Sequence, residues 1–548
     1  MIELLEQPVQ ITRPHPFITK DGRKVFDKTI KKINSYFTHP ATTKILEKFI
    51  SLKPDQKDYT LLTQFPNEQP KFLKKTQTKI ALPYSVLIVT ENVEIYRELK
   101  KQQLLVQQID SKSSLDFLQD YDIVHAIECD NTRYTLERAE NVLFYDDITE
   151  VYAERHLKKI TQYKESILGL NKDHFSTCQD EFTKLIELIA LAENMQQQNI
   201  TRINSDEICM HLNKEIEKRL ATTSISATEL LFQKENNKLP DAITQIVESV
   251  LETAELPAEC FSQTIPLTIN KDIFNIYQKK HETEQYLPLA QKVKSHIASI
   301  LEIDTLLQRI YTYTLIQDFA QGIQSYVIEQ DAKPITHNAF PIIEKATNPH
   351  IKKAQPIDYH LTPSQPATFL TGANSGGKTT LLEHIITLAT LNHIGLPANG
   401  DVQLPIYDSI YYFAKNKGST SKGAFETLLM QLATINTDGQ TLILADEMES
   451  VTEPSVAAKV MAKTVSYFVD QGCHSIFATH LGGILQSQIS PNVRIDGIEA
   501  KGFDKKNNII IDHNPKINKL AASTPELIIQ KLAKQNDDAF LHSLASVF

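Results

Sequence analysis

Cysteine is scarce and scattered. Cys129, Cys178, Cys209, Cys260 and Cys473 stand far apart, odd in number and nowhere spaced as Cys-x-x-Cys. That pattern excludes a disulfide framework and a zinc site and implies a reducing, cytoplasmic setting. Long apolar runs are missing too: none approaches the roughly 18–20 residues a membrane helix needs. The first residues, MIELLEQPVQITRPHPF, carry neither a basic nor an apolar leader region, so neither export nor a membrane partner is expected. Glycine is sparse, 16 in 548 residues; set against abundant Leu, Ile, Lys and Glu, this leans toward helix. An excess of basic charge is also lacking. The formal net charge of −10 argues mildly against DNA, although phosphate binding depends on local Lys and Arg patches rather than on the total.

What is present is enough chain for two to four domains. Residues 1–80 are Lys-rich and broken by Pro14, Pro16, Pro40, Pro54, Pro66 and Pro70, with one short helix suggested by ATTKILEKFI, and are otherwise unassigned. Residues 81–130 read as a small α/β unit: SVLIVT, LLVQQI and YDIVHAIEC are strand-like, and ENVEIYRELKKQQ has helical spacing. Residues 131–330 are almost wholly helical in period; Ile208, Leu212, Ile216 and Leu220, for example, fall on one face. ELPAECFSQTIPLTIN interrupts them as a turn with a short strand, and the run from His296 to Ile323 is apolar on more than one face, which implies burial. From 331 to 548, strand-like and helix-like segments alternate, the pattern of a parallel sheet covered by helices.

The chemistry lies in this last region. ATFLTGANSGGKTTLLEHIITLA is a strand, then Gly372-x-x-x-x-Gly377-Lys378-Thr379, then an apolar helix, the full context of a phosphate-binding loop. Backbone N–H groups from Gly372, Ala373, Asn374, Ser375, Gly376, Gly377, Lys378, Thr379 and Thr380 can turn onto phosphates, Lys378 adds a positive charge, and the Thr379 hydroxyl can ligate Mg²⁺. TLILADE is a buried strand ending in two carboxylates; Asp446 would hold Mg²⁺, and Glu447 would orient or deprotonate an attacking water. SIFATH ends a third strand at His480, where a neutral imidazole could contact the γ-phosphate. Between these motifs, SKGAFETLLMQLATI reads as an amphipathic helix with Phe425, Leu428, Leu429, Leu432 and Ile435 on one face. Ser421 and Lys422 stand at its N-terminus, a position suited to an anion.

The order and wording of these motifs resemble the MutS family within the ATP-binding-cassette class: TGANSGGKTT its phosphate loop, SKGAFETLLMQLATI its signature helix, LILADE its acidic strand and FATH its histidine strand. The resemblance is close over about 330–530. It implies an α/β cassette-type phosphate-loop ATPase domain, preceded by a mainly α-helical core, lever and clamp region and a small α/β N-terminal unit. It further implies ATP and Mg²⁺, a homodimer whose subunits share each site through the signature helix, and adenine stacking by His350 or Ile351. Gly423 stands where the family carries a signature serine, and Met448–Pro454 lacks the glycines of the family's loop. The family's mismatch-reading wedge is not visible; the nearest string, Leu143–Asp147, reads as a helix boundary, and STPELIIQKLAKQ reads as a closing helix with no nuclease module after it. The whole resembles a shortened, archaeal-type MutS-related protein.

The resemblance therefore implies an ATP-gated clamp on double-stranded, branched or otherwise structured DNA, with Lys158–Lys159, Lys218–Arg219 and Lys279–Lys280 as candidate phosphate contacts. A solvated helix face explains each pair equally well. The competing reading is a cassette ATPase that drives a protein partner, in transport or on the ribosome, with no role on DNA.

Overall fold

The computed structural model describes residues 4–5, 16–53, 56–66, 68–76, 82–170, 178–197, 200–224, 239–262, 264–372, 376–415, 422–451, 453–503, 509–521, 529, 532–533, 536 and 538–547. The chain forms two compact units: Met1–Pro70 with Thr312–Phe548, and Lys71–Tyr311. This division differs from the boundaries read in the sequence, because the N-terminal segment clusters with the C-terminal third. No helix among the described residues is long and apolar enough to cross a membrane.

The N-terminal segment opens with α1 (Lys20–Asn34), capped by the Thr19 side chain on the Gly22 N–H. Val25, Thr29 and Ile33 give it a buried stripe. The helix expected in ATTKILEKFI spans Thr43–Ser51, with Ile45, Leu46 and Phe49 buried.

The second unit begins with a four-stranded sheet, β1 (Val86–Thr90), β2 (Val106–Gln108), β3 (Ile123–Ile127) and β4 (Val142–Tyr145), in the order β2-β1-β3-β4 and parallel throughout. Helix α2 (Val93–Lys101) crosses from β1 to β2, started by Asn92 on the Glu94 and Ile95 N–H groups. The sequence predicted three of these strands. The fourth corrects it: Leu143, Phe144 and Tyr145 are not a helix boundary but an apolar, aromatic run that continues the sheet beside β3. The remainder is helical: α3 (Gln179–Gln197), α4 (Ser205–Leu220), α5 (Asp241–Leu251) and α6 (Lys271–Ser295). As its spacing predicts, α4 buries Leu212 and Ile216, with Ile208 and Leu220 partly buried against α5 residues Val247 and Val250. The interruption between α5 and α6 is a 3₁₀ turn, Ala258–Cys260, followed by an antiparallel bridge from Phe261 to Ile269.

Helix α7 (Ile303–Gln330) carries the expected buried run: Ile310, Ile316, Phe319, Ala320 and Ile323 are all fully enclosed. Its last two thirds belong to the first unit. There the principal sheet comprises β5 (Ala367–Gly372), β6 (Ser409–Phe413), β7 (Thr441–Asp446), β8 (His474–Ala478), β9 (Val493–Phe503) and β10 (Ile509–Lys516). The order is β6-β7-β8-β5-β9-β10; all neighbours are parallel except β9 and β10. Strands β5, β7 and β8 are buried along almost their whole length because both faces are covered. One face is covered by α8 (Lys378–Ile394). On the other, α9 (Lys422–Ala433) and α10 (Pro454–Asp470) contribute Leu428, Leu432, Met461 and Val465 to the core. Ile435 is also buried there. Leu429, assigned to the same apolar face from spacing, is 38% exposed.

The N-terminal segment completes this sheet. Phe17 bridges Ile410 in parallel fashion, the Ile18 N–H donates to the Ile410 carbonyl at 3.0 Å, and the Ile410 N–H donates to the Pro16 carbonyl at 2.7 Å. The Tyr412 N–H donates to the Thr19 hydroxyl at 2.9 Å. Helix α1 then packs along α8, and Lys28 approaches Glu383 at 3.5 Å.

Candidate functional site

Parallel strands deliver their C-terminal ends to one edge of the sheet, and a helix that follows such a strand points its N-terminus at the same edge. Here β5 delivers Gly372, and α8 begins at Lys378 with Gly377 as its cap. Both glycines are required by the backbone. Gly372 has φ +140°, and a Cβ there would lie 2.6 Å from the Ile498 carbonyl oxygen of β9; Gly377 has φ +91°, and a Cβ would meet His513 Nδ1 at 2.9 Å. His513 Nδ1 lies 3.0 Å from the Gly376 carbonyl. Of the other loop residues expected to bind phosphate, Ala373, Asn374 and Ser375 fall outside the described residues.

Lys378 is buried, 3% exposed. Its Nζ donates to the Gly372 carbonyl at 2.6 Å and lies 3.3 Å from His480 Nε2 and 3.8 Å from Glu447 Oε1. Burial depresses its pKa against the opposing pull of Glu447, Asp446 and Glu449. The Thr379 hydroxyl donates to Asp446 Oδ2 at 2.5 Å. Asp446 is held above the ordinary aspartate pKa, chiefly by burial, which outweighs the Thr379 hydrogen bond. Its second oxygen, Oδ1, is buried without a hydrogen-bond partner.

Glu447 sits one residue past β7 in the left-handed region, φ +49°, and its N–H donates to the Ala478 carbonyl of β8 at 2.9 Å. A non-glycine residue in that conformation costs about 1 kcal/mol or more and persists where surrounding contacts hold it. Oε1 takes His480 Nε2 at 2.7 Å, and Oε2 pairs with Lys415. Burial pulls the Glu447 carboxyl upward, but the hydrogen bonds from Lys415 and His480 and the nearby positive charges outweigh it, leaving the pKa below its ordinary value.

The structure thus brings Lys378, Thr379, Asp446, Glu447 and His480 to one edge, with Gly372, Gly376 and Gly377 beneath them and the exposed Thr380 one residue on. The sequence did not mark Lys415, Glu449 or His513. Glu449 lies in the loop whose family glycines are missing, and its Oε1 accepts from the Thr479 hydroxyl at 2.9 Å and from the His480 N–H at 2.7 Å. A carboxylate rather than glycine conformation therefore ties that loop to the histidine strand. Lys422 opens α9 as read; its side chain and all of Ser421 lie outside what is described.

Beside Gly377 a pocket of about 260 Å³ is lined by Asn348, Ile351, Lys353, Gln355, His384 and His513, among others. Of the two residues considered for base stacking, Ile351 lines this pocket. His350 instead turns its Nε2 toward the Thr29 hydroxyl of α1 at 3.4 Å, and burial, together with Lys28 and Lys32, pushes its pKa down to about 4.

Outside this unit, the basic pairs singled out in the sequence are largely neutralised. Lys159 pairs with Asp304 at 2.6 Å, Lys280 with Glu140 at 3.0 Å and Arg219 with Glu215 at 3.1 Å; Lys279 pairs with Asp122. Lys218 lies 3.9 Å from Glu215. Glu215 stands on the same helix as Lys218 and Arg219, whereas the partners of Lys159, Lys279 and Lys280 are distant in sequence.

No protein-family model matches the chain. The DNA-binding protein MutS2 of Pyrococcus furiosus is 30% identical over 399 residues, covering 64% of this chain and 68% of its own. An endonuclease MutS2 of Caldicellulosiruptor saccharolyticus is 29% identical over 213 residues, 37% of this chain and 27% of its own. A DNA mismatch repair protein MutS of Thermotoga neapolitana is 24% identical over 241 residues, 42% and 29%. The chain therefore spans about two thirds of the first relative and little more than a quarter of the other two. Fold and site together define a mixed α/β protein whose parallel sheet gathers a glycine-flanked lysine and two strand-end carboxylates at one edge. Within that class, the chain belongs to the MutS family.

Proposed function

We propose that the chain is an ATP-hydrolysing, DNA-binding protein whose cassette-type ATPase domain drives a dimeric clamp on branched or otherwise structured DNA, in recombination or repair, without mismatch specificity. The observation that carries this reading is the convergence of Lys378, Thr379, Asp446, Glu447 and His480 at the C-terminal edge of one sheet. In it, Lys378 and the loop N–H groups bind the β- and γ-phosphates, and the pocket lined by Ile351 and His513 receives the base. Thr379 and Asp446 would hold Mg²⁺, which supplies charge neutralisation of the phosphates when bound. The fit is supported by the buried, unpartnered Asp446 Oδ1 beside the Thr379 hydroxyl. Glu447 takes a proton from the water that attacks the γ-phosphorus while the bond to the β–γ bridging oxygen breaks, and His480 contacts the γ-phosphate. Ser421 and Lys422, at the start of α9, would act on the partner subunit's nucleotide.

DNA enters this reading through the relatives, which are named as a DNA-binding protein, an endonuclease and a DNA mismatch repair protein. Phosphate contact by Lys159, Arg219 or Lys280 would exchange an exposed, solvent-screened ion pair for a DNA phosphate. The test has two arms. By titration calorimetry, Lys378→Ala should lose ATP binding, whereas Glu447→Gln should bind ATP like the parent and hydrolyse it at least about 100-fold more slowly. A gel shift at several salt concentrations should show branched DNA bound above linear duplex, a steep salt dependence, and no preference for a mismatch. Normal ATP binding by Lys378→Ala would remove the site assignment. ATP hydrolysis with no salt-dependent DNA binding would leave the partner-driving ATPase as the better reading.

A further inference from the structure

We propose that Lys415 is a latch on Glu447, holding the base in a resting arrangement that must open before hydrolysis. This rests on the ATPase reading above. Both carboxylate oxygens of Glu447 are engaged, Oε1 by His480 at 2.7 Å and Oε2 by Lys415. A carboxylate that is to take a proton from water needs one oxygen turned to that water at hydrogen-bond distance. His480 touches Glu447 from two residues past β8, beside β7, and its N–H is fixed by Glu449 at 2.7 Å. Lys415 comes from elsewhere, two residues past the end of β6, the edge strand beyond β7.

Two features make this contact a restraint rather than a support. Glu447 is already oriented without Lys415, through its backbone bond to Ala478 and its side-chain bond to His480. The rest of the site is likewise closed upon itself, with Lys378 on the Gly372 carbonyl at 2.6 Å and the Thr379 hydroxyl on Asp446 at 2.5 Å. An arriving triphosphate competes directly for Lys378, whereas the Lys415 ion pair must be broken separately. Its anchor is firm, because β6 is hydrogen-bonded to β7 on one side and to Pro16–Thr19 on the other. The pair itself is weak enough to open: the Lys415 side chain is 47% exposed, so solvent screens it.

The test is steady-state ATP hydrolysis by the full-length protein without DNA, comparing the parent with Lys415→Met, Lys415→Arg, Glu447→Gln and Lys378→Ala. Lys415→Met should raise kcat about fivefold, as expected for losing one partly exposed ion pair, while KM stays within about twofold because Lys415 pairs with Glu447 rather than with the phosphate loop. Lys415→Arg, which restores the cation, should return kcat toward the parental value. Lys415→Met combined with Glu447→Gln should be as slow as Glu447→Gln alone, which assigns the gain to the base. A kcat for Lys415→Met equal to or below that of a hydrolysing parent overturns the latch alone. A parent without hydrolysis sensitive to Lys378→Ala overturns the ATPase reading and the latch with it. Thermal melts of the variants separate these outcomes from misfolding.

Discussion

Asp318, on α7, is 1% exposed and holds the N-terminal segment to its unit through one carboxylate. Oδ1 accepts the Thr38 N–H at 3.0 Å and the Thr38 hydroxyl at 2.5 Å; Oδ2 accepts the His39 N–H at 3.0 Å and the Thr42 hydroxyl at 2.6 Å. Replacing it with Ala leaves four donors facing a small void. The two hydroxyls can rotate to other acceptors, but the two N–H groups cannot, and each orphaned donor costs about 1–3 kcal/mol. Removing a buried charge recovers part of that, so a net loss of about 3 kcal/mol is expected for Asp318→Ala. For a unit of this size the corresponding drop in melting temperature is about 5 °C, read by calorimetry as a shift of the transition carrying the first unit. Asp318→Asn is the sharper variant. It keeps the shape, but its amide turns N–H donors toward at least one donor pair, so it should cost nearly as much as Ala. If Asp318→Asn melted within about 1 °C of the parent, carboxylate anchoring of residues 38–42 would be wrong.

Two further outcomes follow from the same unit. Gly372→Ala forces a side chain into φ +140° and against the Ile498 carbonyl 2.6 Å away, which should destabilise the protein by about 2 kcal/mol; it should also diminish the rise in melting temperature that ATP gives the parent, and an undiminished rise would refute the strained-loop argument. His474, 3% exposed, has its pKa pushed down to about 4 by burial, against about 6.5 in an unfolded chain. The folded state therefore resists protonation: the neutral-His contribution is complete above about pH 6.5 and is lost as pH falls toward 4, on the order of 1–2 kcal/mol between pH 7 and 5. His474→Gln should flatten that limb of a urea-midpoint series, and an unchanged slope would show that other groups govern it.

The parts of the site that could be read from the sequence are those written in adjacent residues. A glycine pair, a lysine and a hydroxyl within eight positions need only local backbone geometry to converge on phosphate, and an apolar run ending in Asp446-Glu447 announces a strand edge by itself. The parts that could not be read depend on sheet order. Strand β8 lies between β5 and β7 although it follows both in the chain, and β6 is an edge whose free side is filled by Pro16–Thr19, with Thr19 393 positions from its partner Tyr412. No local pattern in a proline-broken, Lys-rich segment marks it as part of a distant sheet, so residues 1–80 stayed unassigned. The reading of Leu143–Tyr145 failed for a related reason: four apolar residues have no decisive period, and only pairing with β3 makes them a strand.

The same dependence explains why restraint was less legible than chemistry. Lys415 and Glu449 belong to no motif, yet one occupies an oxygen of Glu447 and the other fixes the backbone of His480. Motif residues are recognised because their chemistry needs a particular side chain at a particular place; residues that restrain them need only arrive with the right charge from a neighbouring strand. Lys415 therefore follows β6 just as Glu447 follows β7, at paired ends of adjacent parallel strands in register from Ser409–Thr441 to Phe413–Ala445. That register sets the charge next to the base, and a one-residue slip of β6 would turn Lys415 to the opposite face. Because Pro16–Thr19 hydrogen-bond along the outer edge of β6, the N-terminal segment lies on the path that fixes this register, and its anchoring at Asp318 joins the stability of the fold to the electrostatics of the site.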